Sequence, residues 1–218
     1  MSTKIVCISD THSQLHKVKI PDGDILIHAG DLTSQGSVSD MVKAFQQLGR
    51  IRSRFKAVVV VCGNHDWLGE TNPILVKQLG EDNNLIYLDH EARVVEGLRL
   101  FGSAYTPEFF SWAFNVPRGE ALKKKWDAIP DDTDILVTHG PPYGILDFVE
   151  PNRFHPKGEH VGCEQLLLAV DRVQPRAHIF GHIHCASAKV QHGSTIFVNA
   201  SICDEQYKTS NPARIVIL

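Results

Sequence analysis

Residues 24–31 read DILIHAGD, an apolar run that ends in a glycine and an aspartate. Short apolar runs bounded by turn-forming residues are typical of buried strands. Gly30 and Asp31 stand where this strand would end. In an α/β sheet, ligands bind just beyond the carboxyl ends of the strands, so Asp31 is placed where a ligand would be held.

The same pattern, an apolar run followed by residues that can bind metal, recurs along the chain. The other runs and their endings are KIVCIS into Asp10-Thr11-His12, KAVVVVC into Gly63-Asn64-His65-Asp66, DILVT into His139-Gly140, and RAHIF into Gly181-His182-Ile183-His184. A single aspartate or histidine at a strand end is usually a turn former or a satisfied polar residue. Its recurrence at every ending indicates one site, built by loops that are distant in sequence.

Amphipathic stretches separate these strands and predict the layers of the fold. The predicted helices cover residues 37–51, 72–79, 118–129 and 162–173, each with apolar residues at three-to-four spacing. This alternation is typical of an α/β fold. Residues 90–105 and 189–200 read as antiparallel hairpins, and residues 214–218 as a final strand. We therefore expect two mixed sheets packed face to face with helices outside, as one domain over residues 1–218.

The composition excludes few classes of protein. A net charge of −3 argues against a strongly basic nucleic-acid binder, although a local basic groove is compatible with it. The number of cysteines is odd, at 5, and none are spaced as CxxC, which predicts free thiols in a reducing compartment. The start of the chain reaches Asp10 too early for a signal-peptide core, and no apolar run could span a membrane. We expect a cytoplasmic protein without membrane contact.

The polar strand ends carry more ligands than one ion needs. The candidate ligands are Asp10, His12, Asp31, Asn64, His139, His182 and His184. Carboxylate and imidazole ligands without thiolate suit Mn, Fe, Zn or Ni and disfavour a structural zinc site. With Asp31 shared, the set suffices for two ions. Two neighbouring metals form a site for displacement at phosphorus, in which one activates a hydroxide and both neutralise phosphate oxygens.

The series DTH, GD, GNHD, THG and GHIH, over residues 10–184, resembles the signature of the calcineurin-like metallophosphoesterases. The resemblance implies a four-layer αββα sandwich with a two-metal site at one edge. It assigns Asp10, His12, Asp31 and His184 to the first metal, and Asp31, Asn64, His139 and His182 to the second. It also implies that His65 lies beside the scissile phosphate as general acid or transition-state stabiliser, together with Asn64. Asp66 would orient the imidazole of His65.

Longer stretches, among them PDGDILIHAGDLT and NASICDEQYKTSNPARIVIL, resemble the subfamily of the mammalian metallophosphoesterase-domain (MPPED) proteins. Those proteins are described as phosphodiesterases, with cyclic nucleotides among their substrates. Some of them carry glycine where this chain has His182, and so lose a ligand of the second metal. Because this chain keeps the histidine, we expect a complete two-metal site, with Mn²⁺ as the predicted ion and Fe or Zn as alternatives.

The expected activity is hydrolysis of nucleotide-type phosphodiesters by a metal-activated hydroxide. The substrate is either a cyclic or small nucleotide or single-stranded nucleic acid such as single-stranded DNA. Phosphomonoesterases of the family usually carry an arginine after the GNH segment, whereas Trp67 follows Asp66 here. The alternatives are a phosphomonoesterase and an inactive metal-binding scaffold, although a scaffold would be expected to lack ligands.

Further residues are candidates for substrate contact. Arg118 and Arg153 lie in irregular regions and could meet phosphates. Asn199 and Ser201 follow a predicted strand and could either contact the substrate or support the metal ligands from behind them. The aromatic stretch TPEFFSWAFN, residues 106–115, either packs in the core or lies near the metals. In the second case its rings could stack on bases.

Overall fold

Two β-sheets packed face to face organise the structure, a computed structural model that describes residues 2–151 and 153–218. In chain order, the strands of these two ranges are β1 (Lys4–Ile8), β2 (Ile25–Ala29), β3 (Ala57–Val61), β4 (Ile86–Tyr87), β5 (Glu91–Val95), β6 (Leu98–Ser103), β7 (Thr106–Pro107), β8 (Asn115–Val116), β9 (Ile135–Thr138), β10 (Phe148–Val149), β11 (Glu159–His160), β12 (Ala177–Phe180), β13 (Ala188–His192), β14 (Thr195–Asn199) and β15 (Arg214–Ile217). The helices are α1 (Val38–Ile51), α2 (Trp67–Thr71), α3 (Pro73–Asp82), α4 (Glu120–Trp126) and α5 (Glu164–Val173).

Both large sheets are mixed. The first has the order β15-β1-β2-β3-β4, in which β1 to β4 are parallel and β15 is antiparallel to β1. The second has the order β13-β14-β12-β9-β6-β5, with a parallel centre and an antiparallel hairpin at each edge. The hairpins predicted at residues 90–105 and 189–200 are the pairs β5-β6 and β13-β14 at these edges. The predicted final strand is β15.

The side chains of the second sheet alternate between two cores. Leu100 and Val137 face the first sheet, whereas Phe101 and Leu136 pack with α4 and α5. This period of two follows from the pleat of a strand, which points successive side chains to opposite faces. On the far side of the first sheet, α1 and α3 complete the layers. The predicted four-layer αββα sandwich is confirmed, while the single domain over residues 1–218 stays a prediction.

Helix α4 begins later than the predicted range of 118–129 because of the residue that precedes it, and it ends earlier, at Trp126. Gly119 has φ 83°, which places it outside the helical region, so the helix begins at Glu120. At α1, by contrast, Ser37 accepts a hydrogen bond from the Asp40 amide at 3.2 Å, as an N-cap residue does. Helix α1 therefore begins within one residue of the prediction.

The parallel strands bring the predicted site residues to one edge of the sandwich. The amide of Asp10, after β1, donates to the Gly30 carbonyl after β2 at 2.9 Å. The amide of Gly181, after β12, donates to the His139 carbonyl after β9 at 2.9 Å. These bonds join the loops beyond neighbouring strands. In the described ranges, no helix combines the length and the apolar character that crossing a membrane requires.

Candidate metal centre

The predicted ligands converge into overlapping groups of donor atoms. Asp10, His12 and His184 form one group, and Asp31, His139 and His182 form another. Within each group the nitrogen and oxygen atoms lie within 4.8 Å of one another. A third group joins His12 and Asp31 to His65. Asp31 therefore belongs to two of these groups, and His12 links it to the first one.

Backbone strain accompanies this convergence. Asp10, His12, Asp31 and His182 all have φ between 40° and 69°, in the left-handed region. Residues other than glycine rarely adopt it, and such strain persists where the surrounding structure holds it for a function. The turns beyond β1, β2 and β12 thus direct side chains at one another at a local cost in stability.

In two of the histidines, His139 and His184, Nδ1 donates to a backbone carbonyl and Nε2 faces acceptor oxygens. His139 donates from Nδ1 to the Ala29 carbonyl at 3.0 Å, so its Nε2 faces Asn64 Oδ1 at 2.9 Å and Asp31 Oδ1 at 3.4 Å. His184 donates from Nδ1 to the Asp204 carbonyl at 2.9 Å, and its Nε2 faces Asp10 Oδ1 at 3.4 Å. Acceptor atoms converge in this way around a cation or a proton. A backbone carbonyl that fixes the tautomer is also the usual partner of a metal-binding histidine.

Without a metal, protons stabilise these contacts. Burial alone would lower the pKa of His139, but the charge of Asp31 and the hydrogen bond to it raise that pKa to about 9. Burial also opposes the shift at His184, yet Asp10 raises its pKa. By contrast, burial lowers the pKa of His182 to about 3. In each cluster a carboxylate thus favours positive charge on one imidazole, at a place where a cation could supply that charge instead.

Glycine is required at Gly181 by the close approach of the loop to Asp10. A Cβ atom there would overlap Asp10 Oδ2 and Ser9 Oγ and would lie 2.6 Å from Ser9 Cβ. These neighbours are fully buried and cannot move aside. The glycine before His182 thus allows the β12 turn to pack on the β1 turn.

Changing Gly181 to alanine should therefore damage the metal centre by displacing Asp10. We expect a loss of stability of about 1–3 kcal/mol, as overpacking costs in cores, together with weaker metal binding. Thermal unfolding and metal titration measure the two effects. Gly80→Ala is the control, because its Cβ would lie no closer than 3.3 Å to other atoms and its helix would gain propensity. Metal binding by Gly181→Ala that equals that of the control would contradict the packing argument.

The prediction that Asp66 orients His65 is wrong. The Asp66 carboxylate accepts hydrogen bonds from the amides of Leu32, Thr33 and Gly63 at 3.1, 3.0 and 2.9 Å, and from the Thr33 hydroxyl. It therefore braces the loops after β2 and β3. His65 instead donates from Nδ1 to the Ser34 carbonyl at 2.8 Å. The sequence could not identify Ser34 as the partner of His65, because a contact with a backbone carbonyl depends on loop geometry and not on residue type.

Asn199 and Ser201 are fully buried, so the structure contradicts one of their two predicted roles, substrate contact, and agrees with the other, support of the ligands. The Ser201 hydroxyl donates to Asp10 Oδ2 at 2.7 Å, and the Asn199 amide donates to the Ile183 carbonyl at 2.8 Å. Both residues hold the loops that carry the candidate ligands. Arg118 and Arg153 also lie outside the clusters. Arg118 pairs with Glu164, and the Arg153 guanidinium lies over the Phe154 ring.

The aromatic stretch 106–115 lies beside the clusters. The rings of Trp112 and His65 have centroids 4.3 Å apart at 33°, and Phe109 meets His182 at 5.0 Å. Phe114, in contrast, is buried in the core. The ring of Tyr207, a residue that the sequence did not single out, has its centroid 4.8 Å from that of His12 and 5.4 Å from that of His184. It lies in an irregular segment with no motif, so only the structure places it here.

A cavity of about 330 Å³ lies above the clusters and opens to solvent. Its walls include Asp31, Asn64, His65, Phe109, Phe110, Trp112, His182, His184, Glu205 and Tyr207. We call it the metal cavity. Four of the candidate ligands, His65 and part of the aromatic stretch therefore share one open space.

Comparison with known proteins agrees with this geometry. The family model described as calcineurin-like phosphoesterase matches residues 3–186. Human metallophosphoesterase domain-containing protein 1 is 41% identical over 99% of this chain and 71% of its own length. UPF0046 protein K07C11.7 of Caenorhabditis elegans is 39% identical over 93% of this chain and 70% of its own length.

A solved structure shares the fold at low sequence identity. The crystal structure of TT1561 of Thermus thermophilus superposes with a TM-score of 0.61, over 91% of this chain and 89% of that one. The two sequences are 14% identical, so this likeness concerns the fold alone.

Proposed function

The chain belongs to the calcineurin-like phosphoesterase family, and we propose that it is a binuclear phosphodiesterase of nucleotide-type substrates. Members of the family hydrolyse phosphoesters with divalent metal ions, and the chain has clusters of residues that could hold such ions. The observation that carries the two-metal proposal is the convergence of these clusters on Asp31, with His65 beside them.

We assign the ligands as the sequence suggested. Asp10, His12, Asp31 and His184 hold the first ion, and Asp31, Asn64, His139 and His182 hold the second. Oxygen and imidazole donors without thiolate favour Mn²⁺, with Fe or Zn as alternatives. When bound, such ions lower the pKa of a water and neutralise charge on phosphate oxygens.

His65 is positioned to donate a proton to the leaving oxygen. Its Nδ1 donates a hydrogen bond to the Ser34 carbonyl, so Nε2 is the nitrogen that can give a proton to the substrate. The ring lies between those of Trp112 and His12, with centroid distances of 4.3 Å and 4.8 Å, and its contact with His12 is edge to face. The backbone amide of His65 donates to Asp31 Oδ1 at 2.8 Å, which ties the proton donor to the central ligand.

The lining of the metal cavity favours a diester over a monoester. None of the described residues that line it is arginine or lysine, and Glu205 adds a negative charge. A monoester dianion needs more compensating positive charge than a diester monoanion does, and arginine is the usual partner for it. The alternative of an inactive metal-binding scaffold has little support, because all the predicted ligands lie at one edge of the sandwich.

Two kinds of diester fit the proposal. Phe109, Phe110 and Trp112 line the cavity and offer ring faces on which bases could stack. This supports single-stranded DNA or a cyclic nucleotide as the substrate. The net charge of −3 disfavours tight binding of duplexes. The cytoplasmic location expected from the sequence stays a prediction.

The substrate class is tested with bis(p-nitrophenyl) phosphate and p-nitrophenyl phosphate, each with Mn²⁺, Fe²⁺ and Zn²⁺. We expect a higher kcat/KM for the diester. Faster hydrolysis of the monoester would reverse the substrate class. Absence of hydrolysis with every ion would refute the enzymatic proposal. Circular single-stranded DNA and cyclic nucleotides then separate the two kinds of diester.

Metal binding should release protons and should weaken as the pH falls. The pKa of His139 is raised to about 9, so this imidazole carries a proton near pH 7, and Asp10 raises the pKa of His184 as well. Because a metal binds only the neutral imidazole, an ion that binds His139 displaces a proton, on the order of one per chain. Calorimetric titration in two buffers of different ionisation enthalpy measures this release. Equal binding enthalpies in both buffers would show that no proton leaves.

A further inference from the structure

A second cavity of about 400 Å³ adjoins the metal cavity. His182 and Ile183 lie in the walls of both, together with Phe109, Phe110 and Val149. We call the second space the side cavity. A substrate whose phosphorus lies in the metal cavity can therefore extend one of its ester groups past His182.

Three aromatic rings form one wall of the side cavity. The ring of Phe110 packs edge to face on those of Phe109 and Phe154, with centroid distances of 5.9 Å and 5.3 Å. Phe110 is 65% exposed and Phe154 is 58% exposed. Large apolar side chains grouped at the mouth of a cavity indicate a binding site, because leaving them in water has a cost that a ligand removes.

The wall is held in place before any ligand arrives. Asn115 donates from Nδ2 to the Phe109 carbonyl at 2.8 Å and approaches the Phe110 carbonyl at 3.5 Å. Phe110 has φ 47°, a conformation that is unfavourable for a bulky residue. The loop thus uses a side-chain contact and local strain to present Phe110 to solvent. Such preorganisation reduces the entropic cost of binding.

The charged groups that line the side cavity do not favour an anionic occupant. Arg118 lines it, but its guanidinium donates to Glu164 at 2.7 Å and to the carbonyls of Gly162 and Val161. Glu108 lines the same space, and so does Glu159, whose carboxylate lies 2.8 Å from Nδ1 of His155. A second phosphate would meet these carboxylates, while the arginine among the described lining residues is already paired. The chemistry therefore favours an uncharged, flat apolar group.

The side cavity lies away from His65. His65 and its ring partners Trp112 and Tyr207 line the metal cavity only. If His65 protonates the leaving oxygen, the leaving group lies towards these residues. The ester group that extends past His182 is then the one that stays on phosphorus.

We propose that the side cavity binds the retained ester group of the substrate, and that this group is an uncharged, flat apolar ring system. The inference rests on the proposed diesterase function. In the reaction, a water oxygen bonds to phosphorus, the bond from phosphorus to the leaving oxygen breaks, and the water gives up one proton to the solvent. The leaving group departs with a proton or as the anion. The monoester product keeps the ring in the side cavity.

Two diesters with the same leaving group test the proposal. Methyl p-nitrophenyl phosphate and phenyl p-nitrophenyl phosphate both release p-nitrophenol but differ in the retained group. We expect kcat/KM to be about tenfold higher or more for the phenyl ester, as burial of a ring allows. The phenyl-to-methyl ratio should fall towards one in Phe110→Ala and Phe154→Ala. Both side chains are exposed, so their loss should not unfold the protein.

Phe148→Ala is the matched control, since Phe148 is an exposed phenylalanine that lines neither cavity. It should keep the wild-type ratio. A ratio near one in the wild-type protein, or one that neither Phe110→Ala nor Phe154→Ala changes, would overturn the assignment of the side cavity. Failure of the proposed function is distinct, because then neither ester is hydrolysed.

Discussion

Replacing His65 with alanine should slow diester hydrolysis by about 10²–10⁴-fold, the contribution of a positioned general acid, while the protein keeps its metal ions. The imidazole donates to the Ser34 carbonyl and stacks on Trp112, and the proposal uses neither of its nitrogens as a ligand. Steady-state kinetics give the first result, and elemental analysis of the dialysed protein gives the second.

The choice of leaving group separates the two roles proposed for His65. A p-nitrophenyl oxygen can depart as the anion, whereas an alkoxide needs a proton. If His65 is the general acid, the loss in His65→Ala should be larger for a dialkyl-type diester than for bis(p-nitrophenyl) phosphate. Equal losses would indicate that His65 only stabilises charge in the transition state.

His192→Ala is the control for this experiment, because His192 is an exposed histidine at the end of β13. It should retain full activity. Since His65 also approaches His12 and Asp31, it could instead be a ligand. Loss of metal from His65→Ala would show that it is one, and would contradict its role as proton donor.

Asp31→Asn should empty both metal positions and reduce turnover by at least about a thousandfold, more than the 10–100-fold that loss of an outer partner costs. Asp31 Oδ1 lies 3.4 Å from His139 Nε2, and Oδ2 lies 3.8 Å from His12 Nε2. One carboxylate thus faces both clusters. The amide keeps the shape of the side chain but removes the charge and one acceptor oxygen.

Asp147→Asn provides a matched control. Asp147 is also buried and accepts hydrogen bonds from the amides of Gly144 and Gly162, but it lies outside the metal clusters. Its replacement should lower stability without changing the metal content. If Asp31→Asn retains one of two ions at full affinity, Asp31 does not bridge the clusters.

Periodicity and motif order predicted most of the fold. The strand ends at Asp31 and His139 could be identified because apolar runs of strand length stop there. The hairpin turning at Glu96 and Gly97 followed from its turn residues, which form the loop between β5 and β6. These features depend on a few residues that are neighbours in the sequence, so they can be predicted from the sequence alone.

Contacts that depend on loop geometry could not be predicted. Asp66 braces backbone amides instead of His65, because a carboxylate near several buried donors satisfies them first. The sequence could not decide between the two roles of Ser201, which is a buried partner of Asp10, and Tyr207 approaches the site from an irregular segment. The carbonyls that fix His139 and His184 carry no side-chain signal at all.

The central claim is that two ions, sharing Asp31, support diester hydrolysis. Protein stripped by a chelator should be titrated with Mn²⁺ while bound metal and hydrolysis of bis(p-nitrophenyl) phosphate are measured together. We expect no turnover in the stripped protein, with activity rising as the second of two ions per chain binds. Full activity at one ion per chain, or in the stripped protein, would contradict it.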